Sequence, residues 1–222
     1  MALGRGRRGR HARHNKLDAT PPWQDPPKPA GPVTAGPWDA GEAPDDGLER
    51  IDLGALQVPA VAGVDVRVEV GADGQVVSAT LSHSGSELQV GVFAAPRTAG
   101  IWGEVRREIL ASLAAQGGTG QEVRGEFGRE LTGRVPVRGG YQATRFVGVD
   151  GPRWFLRGLY IGPAATDPAR AAPLTDVLRR IVVVRGSEPM PVRDPLPLRL
   201  PKGLAEQATP PGGIAAPDGT RR

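Results

Sequence analysis

The sequence predicts an α+β fold in which a mostly antiparallel β-sheet is flanked by two helices. Apolar and polar residues alternate from Val64 to Val70, which is the period of a strand with one buried face. The period changes to 3.6 residues between Ile101 and Leu113, and strand signals resume near Gln121. Because strands occur in runs with two helices inserted, we expect antiparallel pairing rather than parallel crossovers.

The predicted strands form two groups, one on each side of the first helix. In chain order they are 52–58, Val64–Val70, Gln75–Leu81, Leu88–Ala94, Gln121–Glu126, Arg129–Val137, Tyr141–Val149, Arg153–Ile161 and a final inner strand at 181–184. Turn residues at 71–74 and 83–86 separate the early strands, which predicts a meander. Asp150-Gly151 is a strong type I′ pair and predicts the tightest hairpin.

Two helices are predicted, and the first has clear start and stop signals. Thr98 is the expected N-cap of the first, and Gly117-Gly118 is its expected end. The charged residues Glu104, Arg106, Arg107 and Glu108 lie opposite its apolar stripe, so we expect a surface helix on the sheet. The second helix is predicted over residues 167–180.

The chain divides into a predicted single domain at residues 37–200 and two disordered tails, at residues 1–36 and 201–222. Its 32 glycines and 23 prolines include prolines concentrated near both ends. Residues 188–198 contain too many prolines for a helix or an inner strand, so they are expected to pack as an extended strap. The alternative is two smaller β-rich units divided near Gly117-Gly118.

Charge and cysteine content limit the compartment and the partners. The chain carries a net charge of +4, but residues 1–17 alone carry six cations and no acid, which leaves about −2 for the remainder. The absence of cysteine suits a cytoplasmic address. No apolar stretch is long enough for a membrane span, and the basic start has no apolar segment after it, so no secretory signal is predicted.

Several short motifs carry a resemblance to a known family. They are Gly36-Pro37-Trp38-Asp39, Arg50-Ile51-Asp52-Leu53-Gly54, Phe93-Ala94-Ala95-Pro96-Arg97, Gly148-Val149-Asp150-Gly151-Pro152-Arg153-Trp154-Phe155-Leu156-Arg157-Gly158, Val182-Val183-Val184-Arg185-Gly186 and Asp194-Pro195-Leu196-Pro197-Leu198. Over about residues 36–200 the chain resembles an uncharacterised actinobacterial family, domain of unknown function family 3710. That resemblance implies no activity, cofactor or catalytic residue.

The order of the elements is also similar to the fold shared by Mog1 and PsbP proteins, an antiparallel sheet flanked by helices. Known members of that fold are adaptors or assembly factors, so this second resemblance implies an interaction protein. This resemblance lies in the order of the helices and strands.

Few residues of the predicted domain suit catalysis. His83 is its single histidine, either a base for a nearby serine or a solvent-facing turn residue. The acidic stretch from Asp39 to Asp52 lacks calcium-loop spacing and is interpreted as a solvated lead-in, although it could hold a hard cation. No metal site and no cofactor are predicted.

The hairpin around Trp154 carries the strongest binding signal. Arg145, Arg153 and Arg157 lie near aromatic residues, where guanidinium groups could grip an anionic or peptidic partner. The alternative is that the aromatic residues are core and the arginines form structural pairs. Trp38 is either a plug for the sheet or an exposed anchor.

The preferred hypothesis is therefore a non-enzymatic cytoplasmic interaction module that binds a protein partner. A second hypothesis is an accessory nucleic-acid-associated protein tethered weakly and non-specifically by its basic arm, which comprises Arg5, Arg7, Arg8, Arg10, Arg13 and Lys16. A third is an enzyme that uses carboxylates alone, such as Asp45, Asp46 and Glu49.

Overall fold

The computed structural model describes residues 36–71 and 76–200, and within them the predicted α+β fold is confirmed. Its elements are β1 Trp38–Asp39, β2 Arg50–Asp52, β3 Leu56–Pro59, β4 Asp65–Val70, β5 Val76–His83, β6 Ser86–Ala94, α1 Trp102–Ala115, β7 Thr119–Gly125, β8 Gly128–Val137, β9 Gly140–Gly151, β10 Trp154–Ile161, a 3₁₀ turn Gly162–Ala165, α2 Pro168–Arg180 and β11 Val182–Val183. The predicted tails lie outside the described residues except for Gly36, and the single-domain boundary at 37–200 stays a prediction.

The large sheet has seven strands in the order β4-β5-β6-β10-β9-β8-β7, and every neighbouring pair is antiparallel. The predicted early meander is confirmed as β4 to β6, and the later strands form a second meander from β7 to β10. The two meanders join where β10 pairs with β6, with Phe155 opposite Phe93. Strands β4 and β7 are the two edges of this sheet.

A second, smaller sheet has the order β1-β11-β3-β2. The sequence predicted one strand at 52–58, and this was wrong: Leu53 donates its N–H to the Leu56 carbonyl at 2.8 Å, which closes a turn between β2 and β3. Gly54 takes a φ of +83° in that turn, a conformation that glycine adopts without a Cβ penalty. The predicted inner strand at 181–184 is confirmed as β11, between β1 and β3.

The main core lies between the small sheet, α2 and one face of the large sheet. Leu174, Val177 and Leu178 follow helical spacing on α2 and are fully buried. They share one cluster with Leu88 of β6 and Leu156 of β10. We call this side of the large sheet its α2 face, and the opposite side its α1 face.

Helix α1 lies on the opposite face, where Trp102 stacks on Phe155 with ring centroids 5.7 Å apart. The expected N-cap, Thr98, does not cap it. Instead the Asp150 carboxylate of β9 accepts the N–H of Ile101 at 2.8 Å and that of Trp102 at 3.3 Å. The expectation that Arg106 lies on the solvent face was also wrong, because its side chain is buried over the Trp102 ring and pairs with Glu122 at 3.3 Å.

The tight hairpin is offset from its predicted position. Asp150 and Gly151 belong to β9, and the two turn residues are Pro152 and Arg153. Asp150 is held in the strand because its carboxylate faces the start of α1. Local turn propensity is overridden here by a tertiary contact.

The proline-rich strap is extended, as predicted, and connects the two sheets. Leu196 donates its N–H to Val92 of β6 at 2.9 Å, and Arg199 donates to Leu53 in the β2–β3 turn at 2.8 Å. Arg193 adds ion pairs to Glu104 and Glu108 of α1, both at 2.8 Å. The strap therefore ties one end of the large sheet to the small sheet and to α1.

Neither helix found among residues 36–71 and 76–200 has the length and apolarity to cross a lipid bilayer.

Candidate binding cleft

The residues predicted to contact a partner do not form one surface. Trp154 is 1 % exposed, and its indole N–H donates to Asp39 at 2.8 Å, so its ring is part of the core. Trp38 is half-buried in β1, where its backbone N–H bonds the Ile181 carbonyl. Both tryptophans therefore make contacts that stabilise the fold.

The three arginines of the hairpin point to different places. Arg157 is exposed on the α1 face, with its guanidinium 5.4 Å from the centre of the Phe93 ring. Arg153 lies in the β9–β10 turn. Arg145 lies on the α2 face, because it is paired directly with Tyr160 of β10 and paired residues on neighbouring strands share a face.

Arg145 forms part of a cleft between α2 and strands β7 to β9, which we call the α2 cleft. Its volume is about 810 Å³, within the usual range for ligand sites. The α2 face of the outer strands supplies the floor, and residues from Ala165 to Arg179 supply one wall. An ion pair between Arg179 of α2 and Glu126 of the β7–β8 turn links the two sides.

The guanidinium of Arg145 is held in this cleft without a full ionic partner. It lies 4.2 Å from the centre of the Tyr160 ring, a cation–π geometry. Its nearest carboxylate oxygen is Oε2 of Glu130, 3.8 Å from Nε, which is longer than a hydrogen bond. Within the part of the chain that the structure describes, Arg145 Nε has no hydrogen-bond partner.

Glu130 and Tyr160 fix the position of this cation. Glu130 is 3 % exposed, and its other carboxylate oxygen accepts the Phe127 N–H at 3.2 Å. The Tyr160 hydroxyl lies 2.9 Å from the Thr175 hydroxyl of α2. Burial raises the pKa of the Tyr160 phenol, and the Thr175 hydrogen bond and the Arg145 charge offset this only in part. Arg145 therefore stacks on a neutral ring.

The α2 cleft carries more positive than negative charge. Its charged lining residues are four arginines and two glutamates: Arg124, Arg134, Arg145, Arg179, Glu126 and Glu130. Arg134 is exposed and lies on the same face as Arg145, opposite Ala143 in the β8–β9 pair. An anionic group entering the cleft would meet unneutralised guanidinium groups.

His83 lies in a different cleft of about 520 Å³, at the β5–β6 turn. It belongs to β5 and not to the turn, and its Nδ1 donates to the Gly63 carbonyl at 2.6 Å. Asp65 and Glu87 also line this cleft. Among residues 36–71 and 76–200, no group of three or more histidine or acidic side chains is placed to hold a metal ion.

Most of the acidic lead-in is exposed, but Asp39 at its start is half-buried and accepts the Trp154 indole N–H. Asp46 pairs with Arg50 at 2.6 Å, and this hydrogen bond lowers the pKa of the Asp46 carboxyl. Asp45, Asp46 and Glu49 are exposed and line neither of the two clefts described above.

Comparison with known proteins gives one match. The family model described as protein of unknown function, DUF3710, matches residues 36–207, more than half of the chain. The chain belongs to the DUF3710 family. No curated protein and no solved structure matches it.

The DUF3710 region contains every residue that lines the α2 cleft. The basic arm at residues 1–17 lies outside that region and outside the described residues, so a nucleic-acid role for it stays a prediction. An actinobacterial origin and the likeness to Mog1 and PsbP also stay predictions.

Sequence reasoning found Arg145 in this DUF3710 chain but missed Glu130, Thr175 and Arg179. Glu130 shares a face with Thr132 and Arg134 on β8, so three polar residues alternate along one strand. That alternation signals a polar sheet face. It does not show which helix borders the face, because the sequence does not specify how α2 packs.

Proposed function

We propose that this DUF3710 protein is a non-catalytic binding module whose α2 cleft takes an acidic segment of a protein partner. The proposal depends on Arg145. Its side chain is positioned by Tyr160 and Glu130 but has no hydrogen bond to a carboxylate. Its Nε is shielded from solvent, but the Arg145 side chain as a whole is 17 % exposed, and a partner carboxylate would bind the guanidinium through that exposed part.

The shape and charge of the cleft support a chain segment as its occupant. The cleft borders the chain from Ala165 to Arg179, which is most of the length of α2, and its lining has an excess of arginine over glutamate. Rim charges such as Arg134 attract an acidic segment and speed its association, while the more enclosed Arg145 contributes more to its retention.

The composition of this lining supports the non-catalytic part of the proposal. The lining contains no histidine, and its two glutamates are each matched to an arginine, Glu126 to Arg179 and Glu130 to Arg145. A cytoplasmic location, which the lack of cysteine favours, belongs to the proposal as well.

Fluorescence anisotropy tests the proposal with a labelled peptide that alternates glutamate with valine and serine. Its counterpart carries glutamine in place of glutamate. We expect the acidic peptide to bind and the amide peptide not to bind, with affinity that falls as salt is added. Arg145→Gln should weaken binding about tenfold, the loss expected for one charged hydrogen bond.

Arg145→Gln leaves the buried Glu130 without its cation, so a loss of binding in this variant could also reflect misfolding. A second variant is therefore needed. Arg134→Gln changes an exposed cleft residue and should weaken binding about threefold at low salt. Arg157→Gln changes an exposed arginine on the opposite face of the sheet and should leave affinity unchanged. Equal binding by all three variants, or equal binding of the two peptides, would contradict the proposal.

A further inference from the structure

The turn between β9 and β10 holds an arginine in a conformation that arginine seldom adopts. Arg153 has a φ of 62° and follows Pro152, so it occupies the second central position of a tight turn. Glycine or asparagine is favoured there, because a side chain crowds the backbone at positive φ. Such outliers are concentrated at functional sites.

A second arginine lies against this turn. Arg185 follows β11 and donates its Nε–H to the Arg153 carbonyl at 3.0 Å, and another of its nitrogens donates to the Glu188 carbonyl at 3.1 Å. Both residues are half-buried. Burial lowers the pKa of Arg185, and the nearby charge of Arg153 lowers it further.

Neither guanidinium has a carboxylate within ion-pair distance among residues 36–71 and 76–200, and we call these two residues the arginine corner. Arg193 provides a comparison inside the same chain. It also has a positive φ, 76°, but its guanidinium binds both Glu104 and Glu108. Arg193 therefore has two ion pairs together with its positive φ. Arg153 has a positive φ and a neighbour of the same charge, Arg185.

We infer that the arginine corner is a binding site for a phosphate group, in addition to the proposed α2 cleft. The Arg185 guanidinium binds the backbone of Arg153, so both cations belong to the same corner, and together they match the charge of a phosphate, which is close to −2 at neutral pH. The planar guanidinium is well suited to phosphate oxygens, and the donors of Arg153 are not committed within the described residues. The backbone contacts of Arg185 leave its remaining nitrogen for the same ligand.

The test measures the thermal midpoint of the full-length chain in inorganic phosphate and in chloride at equal ionic strength. We expect phosphate to raise the midpoint of the wild-type chain, because a ligand that binds only the folded state stabilises it. Arg153→Gly should remove this rise and weaken phosphate binding at least tenfold. The variant should fold well, since glycine suits the turn.

Arg157→Gln is the matched control, and it should keep the full phosphate effect. A second arm compares a phosphoserine peptide with its unmodified form: a stronger effect than that of inorganic phosphate points to a phosphorylated chain, and a weaker one points to free phosphate. The inference is overturned if phosphate leaves the wild-type midpoint unchanged, or if Arg153→Gly responds as strongly as the wild type. Neither result bears on acidic peptides in the α2 cleft.

Discussion

Replacing Asp150 with alanine removes the group that caps α1. The carboxylate makes one short hydrogen bond to Ile101 at 2.8 Å and a longer, shared one to Trp102 at 3.3 Å. Loss of an N-cap costs about 1–2 kcal/mol, and loss of a negative charge at a half-buried helix start adds about 0.5–1 kcal/mol. We therefore expect Asp150→Ala to lower the free energy of unfolding by about 1.5–3 kcal/mol.

Urea denaturation followed by circular dichroism measures this change at constant m-value. Asp150→Asn keeps one acceptor oxygen and should lose only the charge contribution, about 0.5–1 kcal/mol. Thr98→Ala is the control, because Thr98 is exposed and was predicted from sequence to be the cap. A loss on Thr98→Ala equal to that on Asp150→Ala would refute the assignment.

Three further substitutions test side-chain contacts on the two faces of the sheet. Glu130→Gln should tighten acidic-peptide binding about threefold to tenfold in the anisotropy assay, because the cation of Arg145 is then no longer partly neutralised. A wild-type affinity in this variant would contradict the assigned role of Glu130. The folded chain holds the Tyr160 proton more tightly than the unfolded chain, so the free energy of unfolding should fall as pH rises above about 10. Tyr160→Phe should remove this part of the pH dependence, which is measured from urea midpoints. Gly148→Ala places a methyl group against the Trp102 indole and should cost about 1–3 kcal/mol with a loss of near-ultraviolet circular dichroism; an unchanged spectrum would contradict this contact.

The strands of the large sheet could be predicted from sequence because their signals are local. Alternation along Val64 to Val70 and along Leu88 to Ala94 predicts strands, and both segments are strands in the structure, with a buried face in the second and a half-buried face in the first. The second helix was also predictable, since Asp167 caps it through its own neighbours Ala169 and Arg170. Contacts within a few residues determine each of these elements.

The features that were wrongly predicted from sequence all depend on contacts between residues far apart in the chain. Thr98 and Asp150-Gly151 have the local chemistry of a cap and a turn, but Asp150 instead caps a helix through Ile101, which lies 49 residues earlier in the chain. The α2 cleft depends on the same kind of information. Arg145 was found because its chemistry is visible in the sequence, whereas Glu130 becomes meaningful only when the register of β8 and β9 and the position of α2 are known.

Nuclear magnetic resonance mapping of the acidic peptide on the isotopically labelled chain tests the central claim most directly. We expect the backbone amide shifts to concentrate on the cleft floor, at residues such as Gln121, Thr132 and Ala143, and to spare Gln89 on the opposite face of the sheet. Shifts centred on the α1 face, or spread evenly over surface arginines, would contradict it.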